Sequence, residues 1–322
     1  MVNAECFAEW QRRQGNQVLR SKSSFWYEAG PRVFQAFPYS WIITPSEQEL
    51  YDLIIHNGII ALRYSTPIEA PEGKISYHIV RSNPYSLDII RKKSRKCISD
   101  GLGFCKVEEI PLSRLAQEGW CLQQKTLIRQ KRTDSMGQKG WEKICKAAEG
   151  IPGFQAWGAI VGVELAASLL TMQIDDIGYI LYSLSQQEYF NKYVNHALFF
   201  AVTVELLKNE RINSIFYTVQ SLDAPSSVDD FKFRIGLEPR AVRQRVIFHP
   251  LLAPLANKFT HHFINQLLRL VTNKHFLAKA EGMLRFNLEG KLPSDQQHLP
   301  DCLNTLLPIN SCKEQSELLS SK

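Results

Sequence analysis

The chain of 322 residues is 44% hydrophobic and 22% charged, which excludes collagen-like, disordered and membrane-embedded proteins and allows two domains with cores of their own. Its 38 basic and 32 acidic side chains give a formal net charge of +6, a mild excess that favours anionic partners without requiring one. Seven scattered cysteines form no C-x-x-C pair, so a zinc ribbon and a thioredoxin-type dithiol are unsupported and a reduced, cytoplasmic chain is expected.

The sequence contains no segment with the pattern of a secretory signal or a membrane span. The first residues, "MVNAECFAEWQRRQ", mix acids and bases and lack the apolar stretch of a signal peptide. The longest apolar run, "WGAIVGVELAASLLTM", contains Glu164 and is too short to cross a bilayer. We therefore expect no transmembrane helix and a cytoplasmic protein.

The first half of the chain alternates strand and helix patterns. Two β-rich runs, "QVLRSKSSFWYEAG" and "RVFQAFP", are joined by Gly30 and Pro31, a strong turn signal. A helix follows, with Ser46 as its N-cap, Glu49 completing a capping box, and Gly58 at its C-terminal end. Two more β-rich runs, a basic helix, a strand and a further helix complete a mixed α/β half.

The second half has a clearer order, α-β-β-β-α-β-α-β. Its long helix, "QQEYFNKYVNHALFFAVTVELLKNE", is predicted to run unbroken between two strands, and "VDDFKFRIG" is predicted to be a short helix before the last strand. Together the patterns predict an N-terminal extension (1–16), a first half (17–139), a second half (140–250), an amphipathic C-terminal helix (251–285) and a disordered, polar tail (286–322).

The stretch from 140 to 250 resembles the GNAT acyltransferase fold. In that fold a Q/R-x-x-G-x-G/A loop joins a central strand to a helix, and backbone N–H groups at the helix N-terminus hold the donor pyrophosphate. Here "GYILYSLS" leads into "KYVNHA", so Lys192, Asn195 and Ala197 occupy the positions of Q/R, the first glycine and G/A. The resemblance implies that these three residues bind an acyl-CoA donor.

A second motif extends the resemblance. GNAT chains often carry A-x-x-F-Y-x-x-x-G-F, and "VDDFKFRIGL" matches it at Phe231 and Gly236 with Lys232 in place of tyrosine. This variant resembles the FemAB-like, peptidoglycan-bridge transferase branch, which is built from two GNAT-like halves. The resemblance implies an α/β fold with a mixed sheet and two tandem halves. It also implies that Lys232 stabilises the oxyanion, binds a donor phosphate or protonates the leaving group, with Arg234 beside it.

Other candidate residues carry weaker signals. Ser221 and Asp223 follow the end of a strand, where open α/β sheets place ligands, so they are predicted to line the site. Lys232 and Arg234 could instead be exposed cations on a solvated helix face. His261 and His262 point about 100° apart on a helix, so no metal site is predicted. No nucleophile elbow or phosphate-binding glycine loop occurs.

Three functions remain open on the sequence. The first is acyl transfer from a CoA thioester to an amine of a small molecule or peptide by direct attack, with no metal. The second is aminoacyl transfer from tRNA, which the basic helix at 91–96 would support by binding phosphates. The segment 81–96 holds six bases and one acid. Such a run usually marks a solvated helix face instead. The third is a non-catalytic binding module, favoured by Asn195 in place of glycine and by the missing tyrosine.

Overall fold

The computed structural model describes residues 2–129, 137–223, 227–270, 275–304 and 306–307. Its strands form one mixed sheet. The strands are β1 (Val18–Arg20), β2 (Phe25–Gly30), β3 (Val33–Phe37), β4 (Ala61–Thr66), β5 (Lys74–Ser82), β6 (Lys106–Ile110), β7 (Phe154–Val161), β8 (Glu164–Ile174), β9 (Ile177–Ser185), β10 (Ser214–Val219) and β11 (Glu238–Phe248). Their order across the sheet is β1-β2-β3-β4-β11-β5-β10-β9-β8-β7-β6.

Helices cover both faces of this sheet. They are α1 (Ala4–Arg13), α2 (Glu47–Asn57), α3 (Lys92–Phe104), α4 (Leu112–Arg129), α5 (Gln138–Ala148), α6 (Val194–Lys208), α7 (Ser227–Arg234), α8 (Lys258–Leu270) and α9 (His275–Glu289). The predicted α/β class and the α-β-β-β-α-β-α-β order of the second half are therefore confirmed. None of the helices in the described ranges combines the length and apolar character that a bilayer crossing requires.

A parallel strand pair joined by a helix occurs once in each half. In the first half β3 and β4 pair in parallel and α2 connects them; in the second half β9 and β10 do the same with α6 between them. Each parallel register covers only three residue pairs. The two halves thus repeat one structural unit, as the tandem prediction requires.

The two halves exchange one strand each, β5 of the first half and β11 of the second. β5 follows β4 in the chain but pairs with β10 and β11, and β11 lies between β4 and β5. The predicted boundary between 139 and 140 therefore separates the halves in sequence but not in the sheet, because strands of both halves alternate at its centre.

Successive residues of the central strands point to opposite faces of the sheet, which have different cores. On one face, Tyr77 and Ile180 pack with α3 and α6; we call this the α6 face. On the other face, Tyr179 and Phe216 pack with α1 and α5; we call this the α5 face. The candidate site lies at β9 and β10, whose side chains contribute to both cores.

The helix α2 has the predicted ends. The Ser46 hydroxyl accepts a hydrogen bond from the Glu49 N–H at 3.2 Å, and Gly58 adopts a left-handed conformation with φ 59°. Glycine suits this position because a side chain would strain the left-handed backbone.

Predictions for the chain ends are wrong in the described residues. The segment at 1–16 is not a mere extension, because α1 buries Phe7 and Ala8 and the Trp10 indole donates to the Ile144 carbonyl at 3.0 Å. A long amphipathic sequence does not reveal which of its apolar residues will meet a core, and α1 fills the gap beside α5.

The C-terminal prediction also requires correction. The segment at 251–285 forms two helices, α8 and α9, instead of one, and α9 continues to Glu289. Phe286 and Leu303 are fully buried, so the predicted disorder does not begin at 286. Polar contacts add to this burial, since Gln297 accepts from the Ile75 N–H at 2.7 Å and Asn287 donates to the Val246 carbonyl at 2.8 Å. Residues 305 and 308–322, the rest of the predicted tail, lie outside the described residues.

Candidate active site at the diverging strands

The parallel strands β9 and β10 diverge partway along the sheet. Ile177–Tyr179 pair with Ser214–Phe216, yet β9 continues to Ser185 and β10 to Val219. A register shift against β8 leaves Leu181 unpaired between Ile180 and Tyr182, which is a β-bulge at the start of the divergence. Bulges redirect the backbone. The wedge between the diverging strands therefore exposes main-chain groups of β9 to any group inserted there.

The helix α6 is the first α-helix after β9 in the chain. A 3-10 turn at Gln187–Lys192 and a left-handed Tyr193 (φ 56°) separate the strand from the helix, so the predicted unbroken helix is wrong. Tyr193 makes no side-chain cap, which leaves the first N–H groups of α6 available to an anion.

The three residues predicted to bind the donor lie close to the start of α6, and each makes different contacts. Lys192 is exposed, with Nζ 5.4 Å from the centroid of the Phe104 ring. The Asn195 amide donates to the Ser185 hydroxyl at 3.2 Å. Ala197 is fully buried on the side of α3. Its small size is required because α3 approaches closely.

Arg129 is a further residue at this end of the wedge. Its guanidinium lies 3.4 Å from the Ser185 hydroxyl and 4.6 Å from the centroid of the Phe190 ring. Burial lowers the pKa of Arg129. Sequence reasoning missed this cation because it comes from α4 and lies 56 residues before Ser185, which it contacts.

Lys232 is buried in an ion pair. Its Nζ lies 2.5 Å from Asp229 Oδ1 and 4.5 Å from the centroid of the Tyr217 ring, and the Tyr77 hydroxyl donates to Asp229 Oδ2 at 2.6 Å. Burial lowers the pKa of Lys232. The alternative of a solvated cation is wrong for Lys232, which is 8% exposed, and fits Arg234, which is exposed and donates to the Asp230 carbonyl.

Tyr217 links this pair to the wedge. It follows the last parallel pair of β10 and forms a hydrogen bond with the Ser183 hydroxyl of β9, across the opening between the strands. Burial raises the pKa of Tyr217, so its hydroxyl keeps its proton at neutral pH. Sequence reasoning missed Tyr217 and Ser183 because only the divergence of two strands makes them neighbours.

A cavity of about 350 Å³ adjoins the bulge on the α5 face. Tyr27 and Tyr39 share a hydrogen bond there, and burial raises the pKa of both. Among the cavity's lining residues, Lys143 alone carries a charge at neutral pH. The lining comprises Trp10, Gln11, Gln14, Asn16, Tyr27, Tyr39, Gly140, Lys143, Ile144, Leu181 and Tyr182.

A buried arginine lies on the same face near the end of β10. The Arg63 Nε donates to Gln244 Oε1 at 2.7 Å and its Nη2 to the Gln220 carbonyl at 2.6 Å. Burial lowers the pKa of Arg63 to about 10, while Asp223 opposes that shift. The Ser221 hydroxyl donates to Asp223 Oδ1 at 2.9 Å. Ser221 and Asp223 thus lie within electrostatic reach of Arg63, and their role in the site stays a prediction.

The basic segment at 91–96 is exposed but lies at the far end of α3. Arg91, Lys92 and Lys93 are exposed, whereas the Arg95 guanidinium donates to the carbonyls of Asp88 and Ile90. The contact of α3 with α6 lies some eight residues further along, about 12 Å at the helical rise. No group of three or more candidate metal ligands occurs within the described ranges.

No family model and no curated protein sequence matches the chain. Similar solved structures do exist. FemX is 10% identical, with a TM-score of 0.53, and the match covers 77% of this chain and 92% of FemX. L-PGS from Bacillus licheniformis is 11% identical over 84% of this chain and 98% of its own (TM-score 0.48), and a tandem GNAT protein from the clavulanic acid biosynthesis pathway is 10% identical over 72% and 82% (TM-score 0.45).

These identities are low enough that the likeness concerns the fold alone. The similarity to FemX, together with the repeated strand–helix–strand unit, confirms the predicted GNAT-like α/β fold with two tandem halves. The chain therefore has a GNAT-like α/β fold of the FemX type, built from two tandem halves.

Proposed function

We propose that the protein transfers an acyl group from a CoA thioester to an amine acceptor by direct attack. The observation that carries this proposal is the wedge between β9 and β10, which opens beside the uncapped N-terminus of α6. A thioester donor needs a site for its phosphates and a slot for its extended arm. The start of α6 would bind the phosphates, and the wedge would hold the extended arm.

The donor phosphates would bind at the start of α6. The first N–H groups and the helix dipole favour an anion there. Lys192 adds an exposed positive charge there. The half-buried Arg129 adds another, held near the helix start by its contact with the Ser185 hydroxyl. Asn195 shares the Ser185 hydroxyl, so it holds the strand end against the helix.

The reacting carbonyl would lie in the wedge. The acceptor nitrogen attacks the carbonyl carbon, the C–S bond breaks, and the thiolate takes up a proton while the nitrogen loses one. Main-chain N–H groups near the bulge at Leu181 would stabilise the developing oxyanion. The Tyr217 hydroxyl stays protonated at neutral pH and would donate a hydrogen bond to the leaving sulfur as the C–S bond breaks. Lys232 would act on Tyr217 by holding its ring.

The cavity on the α5 face would bind the acceptor. An amine attacks only in its uncharged form, and none of the described residues that line the cavity is a carboxylate. Lys143 at the cavity repels a second positive charge. Both features lower the pKa of a bound amine and so favour the form that reacts.

Two alternatives stay open for the same fold. An aminoacyl-tRNA donor is favoured by the exposed bases at the start of α3. A binding module without chemistry is favoured by the burial of Lys232 in an ion pair, which removes that ammonium from direct contact with a substrate.

A thermal-shift titration against CoA, acetyl-CoA, longer acyl-CoAs and bulk tRNA separates these functions. At about one hundred times Kd a ligand adds about 2.7 kcal/mol to the free energy of unfolding, a shift of a few degrees in Tm. We expect acyl-CoA to shift the wild type and to shift Lys192→Ala and Arg129→Ala less. Lys208→Ala is the matched control, since Lys208 is an exposed cation at the opposite end of α6.

The outcomes differ for each function. A shift with tRNA alone, lost at high salt, would replace CoA by an aminoacyl donor. No shift with any ligand would favour the binding module. If acyl-CoA binds, Tyr217→Phe should lower kcat by about 100-fold or more in a thiol-release assay and leave donor affinity unchanged, because only the hydrogen bond to the leaving sulfur is removed.

A further inference from the structure

Exposed apolar side chains are concentrated in the stretch 251–276 of the chain. Phe259 is 88% exposed and Leu270 is 80% exposed, and the other members of the cluster are more than half exposed. Large apolar patches on a protein surface mark interaction sites. We call this cluster the α8 patch; its members are Leu251, Leu255, Phe259, Phe263, Leu270 and Phe276.

The patch belongs to a helix that is already anchored by its other side. The His261 Nε2 lies 2.8 Å from Glu281 Oε1, which ties α8 to α9. Phe259 and Phe263 are four residues apart and so lie on one side of α8. The phenyl rings are therefore not left over from an incomplete core. They lie on an exposed side of a helix that is held to α9 through His261.

The charged residues on α8 itself have one sign, and the acidic Glu281 of α9 lies on the side of α8 that carries His261. The sequence contains no aspartate or glutamate from 239 to 280. Lys258, His262 and Arg269 are exposed on α8 beside the apolar residues. A nucleic acid can stack bases on phenyl rings but has no use for the exposed leucines of the patch, and a purely apolar protein partner would not need the cations. An anionic lipid surface uses both, because it offers negative headgroups above an apolar layer.

We propose that the α8 patch docks the protein on the surface of membranes that contain anionic lipids. The helix lies in the plane of the interface, with Phe259, Phe263 and Leu270 among the acyl chains and with Lys258 and Arg269 at the headgroups. The Arg285 guanidinium of α9 donates to the Leu222 carbonyl, so α9 connects the docked helix to the loop that carries Asp223. Docking therefore brings the carboxyl end of β10 close to the membrane.

Vesicle flotation of the full chain tests the proposal. Vesicles of phosphatidylcholine alone are compared with vesicles that also contain phosphatidylglycerol. We expect binding to the anionic vesicles at least about tenfold tighter than to the neutral ones, and weaker binding as salt rises. Phe259→Ser with Phe263→Ser should weaken binding by about tenfold or more, because both rings leave the acyl layer. Lys258→Gln with Arg269→Gln should remove most of the preference for anionic lipid.

The matched control is Tyr51→Ser with Val163→Ser, which removes two exposed apolar side chains elsewhere on the surface and should bind like wild type. Unchanged Tm values would show that all variants are folded. The proposal is overturned if the phenylalanine variant binds anionic vesicles as tightly as the control, or if the wild type binds no vesicles. It is also overturned if light scattering shows a dimer that the phenylalanine variant abolishes, since the patch would then be a contact between two copies of the chain.

Discussion

Lys232 and Asp229 form an ion pair three residues apart on α7, at a distance of 2.5 Å, and both are less than one tenth exposed. Such a pair is costly to split, because the remaining charge stays buried without a partner. The Tyr77 hydroxyl and the Tyr217 ring complete its surroundings. The pair therefore joins strands β5 and β10 to α7.

Replacement of one partner tests this structural role. Lys232→Met should lower the free energy of unfolding by about 3–5 kcal/mol, measured by urea denaturation, because Asp229 is left charged and buried. Adding Asp229→Leu should recover most of that loss. A loss below about 1 kcal/mol in the single variant would show that water reaches the pair. If the stable double variant keeps its activity, Lys232 has no catalytic role.

His78 should make the stability of the protein depend on pH. Burial lowers the pKa of His78 from 6.5 to about 3, and its ring contacts the Ser65 hydroxyl at 2.7 Å. Between about pH 6.5 and pH 3, His78 is protonated in the unfolded chain but stays neutral in the folded chain. The stability that His78 supplies is therefore lost as the pH falls from 6.5 towards 3, by about 2 kcal/mol at about pH 5.

The measurement is urea unfolding at several pH values for wild type and His78→Gln. The variant should show a shallower fall in stability on acidification. His196, whose pKa burial lowers to about 4, supplies a remaining slope of the same sign. Parallel pH profiles for the two proteins would contradict the assignment.

At the scale of elements, the contact between α3 and α6 holds the helix end where the donor phosphates would bind. A Cβ on Gly101 would lie 2.5 Å from the Tyr193 carbonyl oxygen and 3.0 Å from Ala197 Cβ. The two helices can cross at this distance only because Gly101 has no side chain. Any displacement of α3 moves Tyr193, the residue that sets the start of α6.

Gly101→Ala should therefore lower stability by about 1–3 kcal/mol through overpacking and should also weaken the donor-induced thermal shift. Gly103→Ala is the matched control on the same helix, since a Cβ there meets nothing within 4 Å. We expect the control to be neutral or more stable by about 0.5–1 kcal/mol, because alanine favours helix. Equal effects of the two substitutions would disprove the close crossing.

Local signals decided which elements the sequence could predict. Ser46 and Gly58 specify the two ends of α2 through hydrogen bonds within a few residues, and those ends were predicted correctly. The predicted capping box is incomplete, because the Glu49 carboxylate accepts from the backbone and hydroxyl of Ser23 instead of from the Ser46 N–H. Tyr193 interrupts the predicted long helix without any sequence signal, because its left-handed conformation is imposed by packing. The burial of Lys232 was equally hidden, since its partners Tyr77 and Tyr217 come from distant strands.

At the scale of the whole molecule, the exchanged strands make the two halves depend on each other. β5 has hydrogen-bonded neighbours only from the second half in the described sheet, and β11 has them only from the first. Hydrophobic patterns predict strands but not their partners, so the sequence indicated two halves without indicating the exchange. The buried contact of Arg63 with Gln220 and Gln244 depends on that exchange as well.

The exchange predicts a single cooperative unfolding transition for the whole chain. Removal of β5 or β11 from its place in the sheet breaks hydrogen-bonded pairs of the other half. No state with one folded half should therefore accumulate. Urea unfolding followed by circular dichroism and by tryptophan fluorescence should give coincident curves. Two separate transitions would show that the halves fold as independent units.

The bulge at Leu181 places the wedge between two openings on opposite faces of the sheet. The start of α6 opens on one face and the cavity near Tyr27 opens on the other. On the proposed function, donor and acceptor would then enter by separate routes, and neither would block the other. Initial-rate lines at varied donor and acceptor concentrations should intersect, in either order of binding, and the thiol product could leave before or after the acylated amine.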